Sequence, residues 1–213
     1  MKRSEPTEPD IARQTQNYFS PLTFTAPHFS PALAADCDEF TVSDEEIAVL
    51  ERIQERLLWL STLIIDHANH VRPNLDGAKI GGHQASSASV VSILTALYFH
   101  FMQSSDRIAV KPHASPVFHA IQYLFGHQTR DKLERFRALG GAQSYPSRTK
   151  DVDDVDFSTG SVGLGVGVTL FAALVQDYVQ LKKLQPADLP PGRMIALAGD
   201  AELDEGNVFE ALL

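Results

Sequence analysis

The stretch GDAELDEG, from Gly199, places Asp200, Glu202, Asp204 and Glu205 directly after the apolar run RMIALAG (Arg193–Gly199). In parallel α/β sheets ligands gather at the carboxyl ends of strands. Asp200 lies just past such an end, and a helix beginning near Asn207 would offer unpaired backbone amides. One carboxylate beside a bound phosphate is the arrangement Mg²⁺ uses, because the ligand's oxygens complete its shell. The competing reading is a polar turn of solvated acids, one of them favoured by about 0.3–1 kcal/mol at a helix start.

Two further groups could do chemistry. In STGSVGLGVG, Gly160, Gly163, Gly165 and Gly167 crowd the start of a helix. Glycine permits close backbone approach, and a helix start attracts anions. No apolar strand precedes these glycines and no Gly-Lys-Ser/Thr follows, so the segment is neither a dinucleotide fingerprint nor a P-loop. Tight helix packing is the alternative use. Of the eight histidines, His83 (GGHQ) and His113 (KPHASP) stand in loops at element boundaries, where functional groups concentrate. His100 and His119 fall within helices and are expected to be structural or exposed. No pair of histidines has the spacing of a zinc site. There is no GxSxG elbow, and Cys37 lies in the N-terminal arm, so nothing points to a Ser or Cys nucleophile.

The surrounding elements must position these groups. Residues 1–42 are rich in Pro, Ser, Thr and Asp and read as an extended arm. Residues 43–213 read as one domain. Ser43 and Glu46 form a capping box ahead of a helix of five or six turns with the stripe Ile47, Leu50, Ile53, Leu57, Leu60 and Ile64. A helix is expected over 85–102, a buried strand at Arg107–Lys111 and a helix after Ser115-Pro116. A further helix should be capped by Thr129 and stopped by Gly140-Gly141. Residues 142–159 carry four aspartates and read as a surface loop. A long helix through Lys183, a buried strand at Arg193–Gly199 and a last helix follow. Helices alternating with short apolar strands indicate an α/β fold, a parallel sheet flanked by helices.

The composition is 44% hydrophobic and 21% charged over 213 residues, enough to bury a core. A net charge of -9 argues against non-specific nucleic-acid binding, which needs excess Lys and Arg. The single cysteine allows no internal disulfide and fits a reducing compartment. No apolar run reaches the roughly 18 residues a membrane helix needs, and the N-terminus carries no secretory pattern. The expectation is a cytoplasmic protein without a membrane or nucleic-acid partner.

Taken in order from about Asp66 to Leu213, five segments resemble the N-terminal, diphosphate-binding domain of thiamine-diphosphate enzymes of the transketolase superfamily. They are GGHQAS, DRIAVKPHASPVFHAIQYLFG, DKLERFRALGGAQSYPS, STGSVGLGVGV and GDAELDEGNVFEAL. Transketolases usually carry His-Pro-Glu where this chain has Tyr145-Pro146-Ser147. SYP, GGHQASSAS and GDAELDE are more similar to the homodimeric pyruvate dehydrogenase decarboxylase component. The resemblance implies thiamine diphosphate and Mg²⁺ as cofactors, a 2-oxo acid such as pyruvate as substrate, a homodimer, and acyl transfer to a lipoyl acyltransferase. It implies Asp200 as a Mg²⁺ ligand and His83 and His113 at the diphosphate and the reacting thiazolium end. Gly163 would offer backbone to the aminopyrimidine. Gly199, Ala201 and Glu202 would lie by the diphosphate, and Glu205 where the two active sites of a dimer meet.

The chain departs from that pattern at three places. Ala201 stands where the family has a glycine, which would matter if the position needed φ > 0. Lys111-Pro112 replaces a Gln-Gly or Asn-Gly. The acidic stretch after SYP replaces apolar and aromatic residues, which bears on substrate identity. The resemblance also puts the Asn metal ligand and the activating glutamate beyond Leu213, so the 213-residue chain is expected to be inactive alone. Three alternatives stand beside this reading: ketol transfer between sugar phosphates, a non-catalytic partner-binding remnant, and an unrelated nucleotide-binding domain.

Overall fold

The computed structural model describes residues 42–73, 77, 79–186 and 189–213. The expected arm falls outside them except for Val42. Helix α1 (Asp44–Asp66) starts as its sequence dictates: the Ser43 hydroxyl accepts the Glu46 amide at 3.3 Å, and Glu46 accepts the Ser43 amide at 3.0 Å. Its last turn widens into a π-turn (His67–Val71) before extended Arg72 and Pro73 end it. Ile53, Leu57, Leu60 and Ile64 are buried. They face helix α4 (Ser115–Leu124), with buried Val117, Phe118, Ala120 and Ile121.

The helix expected over 85–102 is divided. It forms α2 (Gln84–Ala88), α3 (Val91–Ala96) and a π-turn (Leu97–Phe101). The Ser89 hydroxyl donates to the Ser86 carbonyl and Val90 leaves helical geometry at φ -120°, ψ 1°. A serine run offers the backbone such local alternatives to the helix. Helix α5 (Arg130–Glu134) keeps its Thr129 cap but stops well short of Gly140. Arg137 takes φ 62° and its amide donates to the Ala142 carbonyl at 2.8 Å. The two glycines therefore serve the turn after the helix. A β-carbon at Gly141 would stand 1.8 Å from the Arg135 carbonyl oxygen.

The sheet is parallel, with β1 (Arg107–Ala109) paired to β2 (Met194–Ala196) in the register Ile108 to Ile195. Asp106 ties the two entrances together. It is 4% exposed and accepts the Arg193 amide at 2.7 Å and the Arg193 guanidinium at 2.6 Å. β1 is buried beyond its first residue. β2, expected to be buried, is half-buried and its Ala196 is exposed. Among the described residues each strand pairs only with the other, and it is β1 whose outer side is covered, by Asp156 and Thr159.

Helix α6 (Leu164–Leu181) packs on both strands and on α7 (Gly206–Leu212). Phe171, Leu174, Val175 and Tyr178 of α6 remain exposed. With 18 residues and a mean hydropathy of 1.4, α6 is long and apolar enough to cross a membrane by those measures alone. The polar positions Thr169, Gln176 and Asp177 interrupt its apolar run, so a count of consecutive residues passes over it.

Of the four aspartates of 142–159, Asp154 is exposed and the other three hold the segment inward. Asp156 accepts the Ile108 amide at 2.9 Å. Asp151 accepts the Gln143 and Ser147 amides, each at 2.9 Å. Asp153 is buried against His119 and Gln128. The irregular segment is packed onto the core through its acids, because backbone amides outside a regular ladder still need acceptors.

Candidate functional site

Parallel pairing brings the segments after β1 and β2 to the same end of the sheet. After β1 come Lys111, Pro112 and His113, the last two in a single 3-10 turn. After β2 the Leu197 amide still donates to the Ala109 carbonyl at 2.9 Å, and the chain then reaches Gly199 and Asp200. The Lys111 side chain runs past Gly199, its Cδ 3.8 Å from where a β-carbon there would sit. The third wall is the approach to α6. The Thr159 hydroxyl donates to the Val110 carbonyl at 2.8 Å, and a β-carbon at Gly165 would touch Ala109 at 3.3 Å.

Glu202 closes this loop cluster. It is 7% exposed, and its carboxylate accepts the Gly199 amide at 2.6 Å and the Gly163 amide at 3.3 Å. Gly163 sits at φ 78°, and a β-carbon there would stand 2.6 Å from the Asn207 Oδ1. The sequence readings Gly163, Gly199 and Glu202 thus meet in one buried contact, with Glu202 shaping the loop by holding backbone. Asp200, Ala201 and Glu205 stand exposed on the rim. Asp200 makes no hydrogen bond or ion pair with the described residues. Glu205 is the N-cap residue of α7. Ala201 lies in a 3-10 turn and is not among the residues with positive φ, so the alanine is accommodated without left-handed strain.

The two histidines are linked through residues that sequence reasoning passed over. His113 is exposed and meets the Tyr145 ring edge-on at 6.2 Å. The Arg137 guanidinium lies 6.0 Å from the same ring and 5.1 Å from Phe136. Its Nη1 donates to the Ile80 carbonyl at 2.8 Å, and its Nη2 stands 3.0 Å from where a β-carbon at Gly82 would be. Gly82, at φ 89°, leads directly into exposed His83, the N-cap residue of α2. Burial pushes the Arg137 guanidinium below its ordinary range, with the Tyr145 hydroxyl opposing. No sequence spacing announces Arg137; the only local sign is the glycine pair that makes room for it.

Among the described residues, one group of His, Asp, Glu or Cys is close enough to share a cation: His119, Asp151 and Asp153. It does not include Asp200. Its atoms are already committed. His119 Nε2 donates to the Gln143 carbonyl at 2.9 Å and Nδ1 pairs with Asp153, whose other oxygen accepts from Gln128. Both Asp151 oxygens accept backbone amides. Burial alone would lower the His119 pKa, but the bond to Asp153 and its charge outweigh burial and raise it. Burial raises Asp153, with His119 opposing. The group is a fastening for the 142–159 segment.

A family model described as 1-deoxy-D-xylulose-5-phosphate synthase, N-terminal part, matches residues 66–213. The chain belongs to this family. As a member of the 1-deoxy-D-xylulose-5-phosphate synthase N-terminal family, it carries a thiamine-diphosphate-binding type of domain. It is 26% identical over 192 residues to the pyruvate dehydrogenase E1 component of Mycolicibacterium smegmatis, covering 85% of this chain and 20% of the relative. It is 28% identical over 170 residues to that of Cupriavidus necator, covering 76% and 18%. It is 31% identical over 142 residues to Transketolase-like protein 2 of Mus musculus, covering 62% and 21%. The chain thus spans about a fifth of the length of these relatives.

Proposed function

We propose that the chain is the diphosphate-binding part of a thiamine-diphosphate- and Mg²⁺-dependent enzyme that decarboxylates a 2-oxo acid, pyruvate, and passes the acyl group to lipoamide. The observation that carries this reading is the meeting of Lys111–His113 with Gly199–Glu202 at one end of a parallel sheet. The donor set fits the cofactor. Asp200 offers an uncommitted oxygen ligand of the kind Mg²⁺ takes beside phosphate oxygens. Lys111 supplies a cation at the same edge, and Gly199 leaves the backbone open, with no neighbour closer than 3.5 Å to a β-carbon built there. Glu202 holds the loop shape through the Gly199 and Gly163 amides.

When bound, thiamine diphosphate supplies the carbanion chemistry and the electron sink. The chain's own residues bind, orient and move protons. His113, with its ring edge against Tyr145, and His83 are the two imidazoles on the exposed side of the cluster. An imidazole exchanges protons near neutral pH, as addition to and departure from a carbonyl carbon require. A homodimer with Glu205 near its interface, a lipoyl acyltransferase partner and a cytoplasmic location belong to the same proposal. The net charge of -9 gives no support to a nucleic-acid partner.

A second reading, transfer of a two-carbon ketol unit between sugar phosphates, draws on the likeness to Transketolase-like protein 2. Calorimetric titration of the complete gene product with thiamine diphosphate, with and without Mg²⁺, tests both. Saturable, Mg²⁺-dependent binding is expected, and its absence sinks the cofactor reading. Product analysis of the complete gene product with pyruvate or with a ketose phosphate then separates the two reactions.

A further inference from the structure

Arg137 is a cation with no counter-ion among the described residues. No carboxylate of the described residues forms an ion pair with it, although six other such pairs occur. Its Nε is buried with no hydrogen-bond partner, and its one side-chain hydrogen bond is from Nη1 to the Ile80 carbonyl. A half-buried guanidinium left in this state is costly unless an anion arrives. The residue is also held deliberately. Its backbone is left-handed at φ 62°, and Gly82 leaves space for its Nη2. Phe136 and Tyr145 flank the guanidinium, and Tyr145 is the ring that also meets His113.

We infer that Arg137 is the receiving group for the carboxylate of a small 2-oxo acid, placed by Tyr145 on the far side of His113 and next to the Gly82–His83 loop. The inference rests on the 2-oxo acid reading above. Charge count favours this ligand. The Arg137 guanidinium matches one carboxylate, whereas a diphosphate brings several negative charges and has Asp200 with Mg²⁺ and Lys111 elsewhere. The planar guanidinium still has Nη2 to donate, and the flat carboxylate accepts such N–H bonds in its own plane.

The test is nitrogen-detected NMR of arginine Nε–H groups in the 23.4 kDa chain, with the Arg137 signal assigned by its loss in Arg137→Gln. The probes are pyruvate, neutral pyruvamide and inorganic phosphate at matched ionic strength. The expected result is a saturable shift with pyruvate and none with the other two. Pyruvate affinity should fall by about tenfold or more in Arg137→Gln, which corresponds to loss of one charge-assisted contact. Arg137→Lys should retain part of it. No shift with pyruvate, an equal shift with pyruvamide, or a shift with phosphate alone overturns the inference. If Arg137→Gln does not fold, the pyruvate and pyruvamide titrations of the unaltered chain still decide. Thiamine-diphosphate binding to the unaltered protein is measured in parallel. Failure of the cofactor to bind the unaltered chain strikes the functional reading, and pyruvate binding indifferent to Arg137 strikes only this one.

Discussion

The carboxylate of Glu202 accepts the amide of Gly163 at 3.3 Å, joining two loops 39 positions apart in sequence. Its second oxygen holds the Gly199 amide at 2.6 Å. Replacing Glu202 with Ala orphans both amides, at roughly 1–3 kcal/mol for each buried group. The expected loss is about 2–4 kcal/mol, read as a fall in the thermal midpoint on the order of 5–15 °C. Glu202→Gln, which keeps one acceptor oxygen, should fall between. An unchanged midpoint in Glu202→Ala would show that the two amides find other acceptors.

Asp200, two residues earlier, should behave oppositely. It is exposed and touches no described partner, so Asp200→Ala should change stability by no more than about 0.5 kcal/mol. Mg²⁺-dependent binding of thiamine diphosphate should nonetheless be lost. Calorimetry with the metal present and absent checks this. Retained metal dependence would assign the ion to another ligand.

The His119–Asp153 pair sets a pH dependence on the alkaline side. Both groups have folded-state pKa values above their ordinary 6.5 and 3.8. The folded chain therefore holds protons that the unfolded chain has released, and stability falls as pH rises. The histidine part is complete below pH 6.5 and disappears as pH climbs through its raised value. Thermal midpoints across pH 6 to 9 should decline, and a His119→Leu, Asp153→Leu double variant should flatten that decline. His119→Leu alone leaves a buried carboxylate unpaired and should cost about 3–5 kcal/mol.

Asp106 sets the acid side. Burial alone would raise its pKa, but the Arg193 guanidinium and the amides of Gln103 and Arg193 outweigh burial and hold it below the ordinary 3.8. A lowered carboxyl stabilises above its unfolded value and loses that contribution as pH falls through the folded one. Asp106→Asn should remove this acid sensitivity and loosen the junction of β1 and β2. Equilibrium unfolding between pH 5 and 2 measures it, and an identical acid limb in the variant would contradict the assignment.

Much of the fold was legible wherever the determining contact is local. Ser43 and Glu46 announced α1 and Thr129 announced α5, because a cap needs only residues three positions away, and Pro116 in the first turn announced α4. The structure brings Gly163 and Gly199, singled out in the sequence, together on the Glu202 carboxylate. What was not legible depends on partners distant in sequence. Asp153 reads as a surface acid until His119, 34 positions earlier, is seen beside it. The end of α5 was misplaced because Arg137 adopts a left-handed backbone that no arginine advertises, held by the Ala142 carbonyl. Whether a strand is covered on both faces, as β2 was expected to be, is a property of its neighbours and not of MIA itself.

The Ile108 amide and the Val110 carbonyl point away from β2, and the Asp156 carboxylate and the Thr159 hydroxyl occupy them. Side chains here do what a neighbouring backbone would do, and they cannot be extended strand upon strand. The sheet is thus plugged at β1 and directional in its growth: an incoming strand, from this chain or any other, has to be recruited at β2.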